Sequence, residues 1–371
     1  MSATYLLSAC RSPVAPRDGA LAHLDIHDLA SPVLIGALKQ AGVRPNDVDE
    51  IIVGNALGAG GNPARLVALT AGLPQNVAGL SIDRQCCSGM DALVIGDAMI
   101  RSGQANIVVA GGVESYSRRP LRFRTYADCR EPEAYDQPAF APTPENDPDM
   151  SQAADQLATD QNISRRDQDV WAVESHRKAR AAVPFSPDEL IQFEAAQSDG
   201  FTRDLTLKLC ERAPKVAGSV STANTSVAAD AAAFCVLVSE NVAESLQNKD
   251  VEFIAGVTRG DRPNCPGLAP VVAIHDALLM ANVTVNDLSV VEVMEAYAVQ
   301  AIACVDAAGF NPSVTNLGGG SLARGHPIGA SGAINAVRLF HELRKRPGLG
   351  LATIAAAGGL GTAIVLKAHA R

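Results

Sequence analysis

The sequence predicts an α/β protein built from two copies of one folding unit, with an insertion in the first copy. Three observations carry this. The chain has 371 residues, too many for one small core. Its hydrophobic share is 47% while aromatics supply only 4%, and Ala and Gly are abundant. Small residues let helices and strands approach closely, which favours layered α/β packing over an aromatic-cored β-sandwich. The third observation is an internal repeat with the order helix, turn, strand.

Taken in order, "MSATYLLSACRSP" reads as a strand running into a loop, its apolar part too short for a signal peptide. "ALKQAGVRPNDVDEIIVGNAL" (Ala37 to Leu57) is matched by "ALLMANVTVNDLSVVEVMEAY" (Ala277 to Tyr297). Ala37 aligns with Ala277, Val43 with Val283, Asn46 with Asn286 and Asp47 with Asp287, all 240 residues apart without a gap. "GLSID" is strand-like, and "SGMDALVIGDAMIRSG" places Met90, Leu93, Val94 and Ile100 at helical spacing, ending at Gly103. A looser second match sets "ANIVVAGGVES" against "LATIAAAGGLGT", with Gly111 opposite Gly358. Strands alternating with helices point to mixed or parallel sheets covered on both faces.

From Arg118 to Val216 the repeat is interrupted. The segment opens Pro-rich and charged, then turns helical, with a break expected near Asn162-Ile163-Ser164. The expected division is therefore residues 1–117 with 217–248 as one half, 118–216 as an inserted loop domain, and 249–371 as the other half. In such a duplication the loop bearing Cys86 and the loop bearing His326 occupy equivalent places. They are expected to face each other across a cleft.

Bulk properties exclude several classes. A net charge of −9 argues against a nucleic-acid surface. The eight cysteines are scattered, with no CxxC pair, so neither a zinc site nor a disulfide framework is expected. No apolar run is long enough to span a membrane. The tail "KAHAR" carries no peroxisomal address. A reduced, cytoplasmic setting is expected.

Cys86, in "SIDRQCCSGMDAL", falls on a strand-to-helix junction. A thiol there meets orphan N–H groups and the positive end of the helix dipole, which favour thiolate and hold an oxyanion. The competing reading is a buried, inert pair of thiols, and for Cys87 that reading is preferred. His326 sits in "GGGSLARGHPIGASGA", a loop of close backbone approaches, and is the expected base for Cys86. "STANTSVAAD" either lines a ligand channel or caps the next element. "AAAGGLGTAIVL" lacks both GxGxxG spacing and a P-loop lysine, so nucleotide binding is not supported.

Together these motifs resemble those of the thiolases, over essentially the whole chain. "DRQCCSG" is similar to the nucleophile motif, "GGVESYS" to GG-x-E-x-x-S, and "SVSTANTSVAADAAA" to the TAGN segment. "GGGSLARGHPIGASGA" is similar to GHPxGxSG, "MEAYA" to NEAFA, and "AAAGGLG" stands where thiolases have CxGGGxG. The resemblance implies duplicated βαβαβαββ halves in an α-β-α-β-α sandwich with an inserted loop domain. It implies acyl-coenzyme A thioesters as substrates, no cofactor or metal, and a homodimer or homotetramer. Cys86 would take the acyl group and His326 would activate it. Backbone N–H groups of Cys86 and of the 357–358 turn (Ala357, Gly358) would hold the oxyanion. Ser226 would lie along the pantetheine channel, and the loop domain would bind the nucleotide end. Arg203 either meets a coenzyme A phosphate there or is simply solvated.

Two departures fall on one half-reaction. The acid/base cysteine of CxG is Ala355, and the asparagine of NEAFA is Met294. The CxG glycine is Ala357, a milder change. Acyl transfer onto the enzyme keeps its groups, while carbanion formation loses two. The chain is thus expected to be an acetyl-CoA acetyltransferase-like acyltransferase with an acyl-Cys86 intermediate. The alternatives are transfer to oxygen, nitrogen or water, decarboxylative condensation, a substitute base (His326, Cys87 or Cys265), or a degenerate subunit.

Overall fold

The computed structural model describes residues 3–58, 60–182 and 187–369, so the chain ends of the expected division and the last two residues of the KAHAR tail lie outside it. A ten-stranded mixed sheet runs through the molecule. Nine strands form its path, Leu288–Val293, Gly348–Ala356, Leu360–Ala368, Val251–Gly260, Thr4–Arg11, Ala229–Ser239, Ile107–Glu114, Glu50–Gly54 and Leu80–Ile82, and the tenth, the short Ala15–Pro16, pairs with Ala229–Ser239 off that path. The first four strands come from the second half and the rest from the first. Thr4–Leu6 pairing with Val251–Phe253 joins them.

Two helices, Ser88–Arg101 and Ile328–Lys345, pack on each other and on strands of both halves. They form the central layer. Ile26–Ala41 and Pro63–Thr70 cover the outer face of the first half, and Ala269–Ala281 covers that of the second, with Ala298–Ala308 beside it. The layers run α-β-α-β-α. Ala229–Ser239 shows how sequence period sets them. Ala231, Ala233, Cys235 and Leu237 face the central helices, while Ala232, Phe234, Val236 and Val238 face the outer ones. A strand buried on both faces reads as a continuous apolar run. Burying one Phe234-sized side chain stabilises by roughly 1.5–3 kcal/mol.

The repeat is present in three dimensions. Ile26–Ala41 ends on Gly42 at φ 68°, and Ala269–Ala281 ends on Asn282 at φ 54°. Short turns follow at Pro45–Asp47 and Val285–Asp287, then the strands Glu50–Gly54 and Leu288–Val293. The looser Gly-Gly equivalence does not hold. Gly111 and Gly112 lie inside the Ile107–Glu114 strand, where a Cβ on Gly112 would fall 2.0 Å from Gly329 O. Gly358 and Gly359 instead turn the chain between two strands, at φ 80° and 74°. The same dipeptide serves close approach in one half and positive φ in the other.

In the insertion the chain first forms a short hairpin, Arg122–Arg124 against Glu133–Tyr135. Helices Met150–Asp160 and Arg165–Ala181 follow. The break between them is the expected one. Asn162 takes φ 54°, and Ser164 with Asp167 forms a capping box that starts the second helix.

Candidate active site

Cys86 sits two residues before the first residue of the Ser88–Arg101 helix. Gln85, just before it, is held at φ 52°, a left-handed conformation that turns the chain sharply from strand to helix. Ser88 fixes the turn by accepting the Arg84 N–H at 2.8 Å and donating to Gln85 O at 2.6 Å. His326 sits two residues before the Ile328–Lys345 helix, 240 residues after Cys86. Its own N–H donates to Val227 O at 2.7 Å, which ties this loop to the 221–230 segment.

The two side chains meet: Cys86 Sγ lies 3.2 Å from His326 Nε2. On the far side of the ring, Nδ1 is 2.7 Å from Ser331 Oγ. The Ser331 hydroxyl gives its hydrogen to Pro327 O at 3.0 Å, so it accepts from Nδ1–H. That tautomer leaves the Nε2 lone pair facing the thiol. Burial holds the imidazole down at about 4 and pushes the Cys86 thiol up to about 12. This corrects the expectation of a thiol made acidic by its helix. The N–H groups of Cys86 and Ala357 do aim at the sulfur and favour thiolate, but desolvation outweighs them. The resting pair is neutral thiol and neutral imidazole.

Glu114, at the end of its strand, pins the loops around this pair. Its carboxyl accepts the N–H groups of Ala56 and Gly329, both at 3.0 Å, and Asn55 Nδ2 at 2.8 Å. Burial raises it to about 7. Sequence reasoning gave it no role beyond its place in "GGVESYS".

Cys86 and His326 open on a cleft of about 700 Å³. Ser226, Ala355 and Ala357 also line it. Ser226 Oγ donates to Glu295 O, and the buried Thr225 hydroxyl has no partner among the described residues. Gly358 stands just beyond Ala357, beside Phe140 of the insertion. Ala357 has no positive φ, so alanine in place of glycine strains nothing there. Met294 does not reach the cleft: it is 1% exposed in the core around the central helices. Arg203 lies outside the cleft lining and stacks on Phe201 at 4.0 Å. Cys87 is fully buried, its Sγ 3.7 Å from Ile354 O, and Cys265 is not in the lining either. Among the described residues lining the cleft, Cys86 is the one thiol. Sequence reasoning gave no role to Tyr116, within GGVESYS, and missed Arg119 and Arg122, which line the wall given by the insertion. That segment has no periodicity to place them. The described residues hold one grouping with metal-compatible spacing, Asp25, His27 and Asp28, and it lies outside the cleft lining.

Comparison with known proteins follows the same lines. Residues 4–241 match the model "Thiolase, N-terminal domain" and residues 249–368 match "Thiolase, C-terminal domain". The chain is 37% identical, over 98% of each chain, to "Putative acetyl-CoA C-acetyltransferase YhfS" of Bacillus subtilis (strain 168). Among solved structures it is similar to the Bacillus anthracis acetyl-CoA acetyltransferase, at TM-score 0.93 and 30% identity, covering 100% of this chain and 99% of that one. It is likewise similar to human mitochondrial 3-ketoacyl-CoA thiolase in complex with CoA, at TM-score 0.93 and 29% identity, covering 100% and 98%. With both family models matched end to end along a duplicated five-layer fold, the chain belongs to the thiolase family.

Proposed function

We propose that this chain is an acyltransferase that takes acyl groups from coenzyme A thioesters through an acyl-Cys86 intermediate. The observation that carries the reading is the Cys86 Sγ–His326 Nε2 approach of 3.2 Å in a cleft. As the sulfur attacks the thioester carbonyl, its proton passes to Nε2. The carbonyl oxygen takes the negative charge, where the Cys86 and Ala357 N–H groups receive it. Collapse breaks the carbon–sulfur bond of the thioester. The leaving coenzyme A thiolate takes the proton back from the imidazolium, leaving acyl-Cys86. Ser226 and Thr225 line the same cleft as the arm of the substrate. The reading includes no cofactor beyond the thioester, a cytoplasmic setting and a homo-oligomer.

The second step favours an acceptor that needs no α-proton abstraction. Ala355 faces the cleft with a methyl group, and Met294 is sealed in the core. Transfer to oxygen, nitrogen or water, or condensation driven by decarboxylation, meets this condition. The names of the relatives favour the other reading, an ordinary acetyl-CoA C-acetyltransferase with a substitute base.

One experiment separates them. Acyl loading from acetyl-CoA is followed by intact mass, and acetoacetyl-CoA turnover is followed alongside. Loading that disappears in Cys86→Ala, with negligible turnover, is the expected result. Ala355→Cys should then raise turnover by about 10² or more, the usual worth of a general acid–base group. Absence of loading from several acyl-CoAs sinks the covalent step, and robust wild-type turnover restores the ordinary thiolase.

A further inference from the structure

The wall that the insertion gives to the cleft carries two guanidinium groups, and they are not alike. Arg119 is ion-paired: Nη1 donates to Tyr116 O and Nη2 to Asp136 Oδ1, each at 3.2 Å. Among the described residues Arg122 makes one hydrogen bond, from Nη2 to Ala56 O at 3.1 Å. Among the described residues no carboxylate lies within ion-pair distance of it. A guanidinium has five N–H donors in a planar fork, so most of the donors of this cleft-lining residue are left without a protein acceptor among the described residues. The residue is partly buried, so water compensates it incompletely.

Its position is fixed relative to the chemistry. Ala56 gives its O to Arg122 and its N–H to Glu114. The same Glu114 oxygen accepts the N–H of Gly329, in the loop after His326. Arg122 is thereby tied, through one residue and one carboxylate, to the loop that holds the imidazole. Arg122 lines the same cleft as Cys86, together with apolar Leu57 and Phe140, and in the acyl-thioester reading the acyl chain runs along this wall. Asp83, also in the lining, accepts the Gln85 N–H at 2.9 Å and works against an anion beside the nucleophile turn. The acyl chain must therefore be long enough to carry its charge past that turn.

Resting on the acyl-thioester reading above, we propose that Arg122 reads a terminal carboxylate on the acyl group. The preferred substrates are coenzyme A thioesters of dicarboxylic acids. Arginine suits this task because its fork binds a carboxylate through two parallel, charge-assisted hydrogen bonds.

The test compares glutaryl-CoA with pentanoyl-CoA, which share chain length and differ in the end group. Equilibrium binding and acyl loading of Cys86 are measured for the wild type, Arg122→Gln and Arg122→Lys. The wild type should favour glutaryl-CoA about ten- to hundredfold, the usual worth of hydrogen bonds to a charged group. Arg122→Gln should remove that preference and leave pentanoyl-CoA unchanged, with Arg122→Lys between. Equal wild-type affinity for the two thioesters overturns the proposal without any variant. Equal weakening of both in Arg122→Gln also overturns it and assigns the arginine to the coenzyme A phosphates. If glutaryl-CoA binds tighter yet neither thioester loads Cys86, the covalent reading fails and the carboxylate recognition stands. Binding of neither thioester overturns both.

Discussion

At the scale of single residues, the site stores strain and withholds charge. Gln85 occupies a left-handed conformation that costs a non-glycine residue about 1–2 kcal/mol, and the turn it makes aims Cys86 at the imidazole. Neither partner is ionised at rest, because burial acts on both in the direction of neutrality. The pH dependence follows. His326 accepts the thiol proton only while neutral, and it stays neutral down to about pH 4. His326 should therefore put no acid limb on acylation of Cys86 until pH drops through about 4, whereas Glu114, which pins the flanking loops, titrates at about 7. Acyl loading by rapid quench and mass spectrometry measures this, and an acid limb near the ordinary histidine value of about 6.5 that persists in Glu114→Gln contradicts it. The same depression makes folding weaker in acid. Below about 6.5 the unfolded imidazole binds a proton that the native one refuses down to about 4, so stability falls as pH falls across that window.

At the scale of elements, the two central helices cross through small residues. A Cβ on Gly332 would fall 2.6 Å from Met90 N, and one on Gly89 would fall 2.7 Å from Gly329 O. Backbone lies on the other side of each contact, so nothing can rotate away. Gly332→Ala should cost about 1–3 kcal/mol, as overpacking does, read as a drop in the denaturant midpoint. It should also slow Cys86 acylation, because these helices set the distance between the two loops ahead of them. The elements also show what the chain made legible. The helix–turn–strand repeat and the Asn162 break come from local rules of capping, period and left-handed turns, which act over a few residues. Cys86 was legible because it stands at the junction before a strongly patterned helix, and His326 because its loop is dense in glycine and holds the equivalent place in the other half. The acidity of the thiol was not, since desolvation depends on the whole surrounding fold. The Gly-Gly pairs misled because one dipeptide meets two different needs. Arg119 and Arg122 lie in a segment without periodicity, and only tertiary contacts bring them to the cleft.

At the scale of the whole molecule, an ion network ties distant parts of the chain together. Glu189 lies between two buried guanidinium groups, 2.9 Å from Arg11 Nε and 2.5 Å from Arg338 Nη1. Arg11 also binds Asp199 at 2.7 Å, and Arg338 binds Glu342 at 2.6 Å. The facing guanidinium groups hold Glu189 down at about 2. Its contribution is present above the ordinary value of 4.5 and is lost as pH falls from there toward about 2. Glu189→Gln should destabilise by about 3–5 kcal/mol, the typical effect of removing one partner from a buried ion pair. Thermal melts at neutral pH measure the loss, and its shrinkage below pH 4 checks the sign.

The spacing of 240 residues that relates the two helix–turn–strand units also separates Cys86 from His326. The reacting atoms thus stand at one position of the repeated pattern, occupied twice. Were the halves identical copies meeting about a twofold axis, that position would hold two thiols or two imidazoles. Neither combination makes a nucleophile with its own base. Joining the copies in one chain let the equivalent positions diverge, so the broken symmetry at this single point is what supplies a donor and an acceptor of the proton.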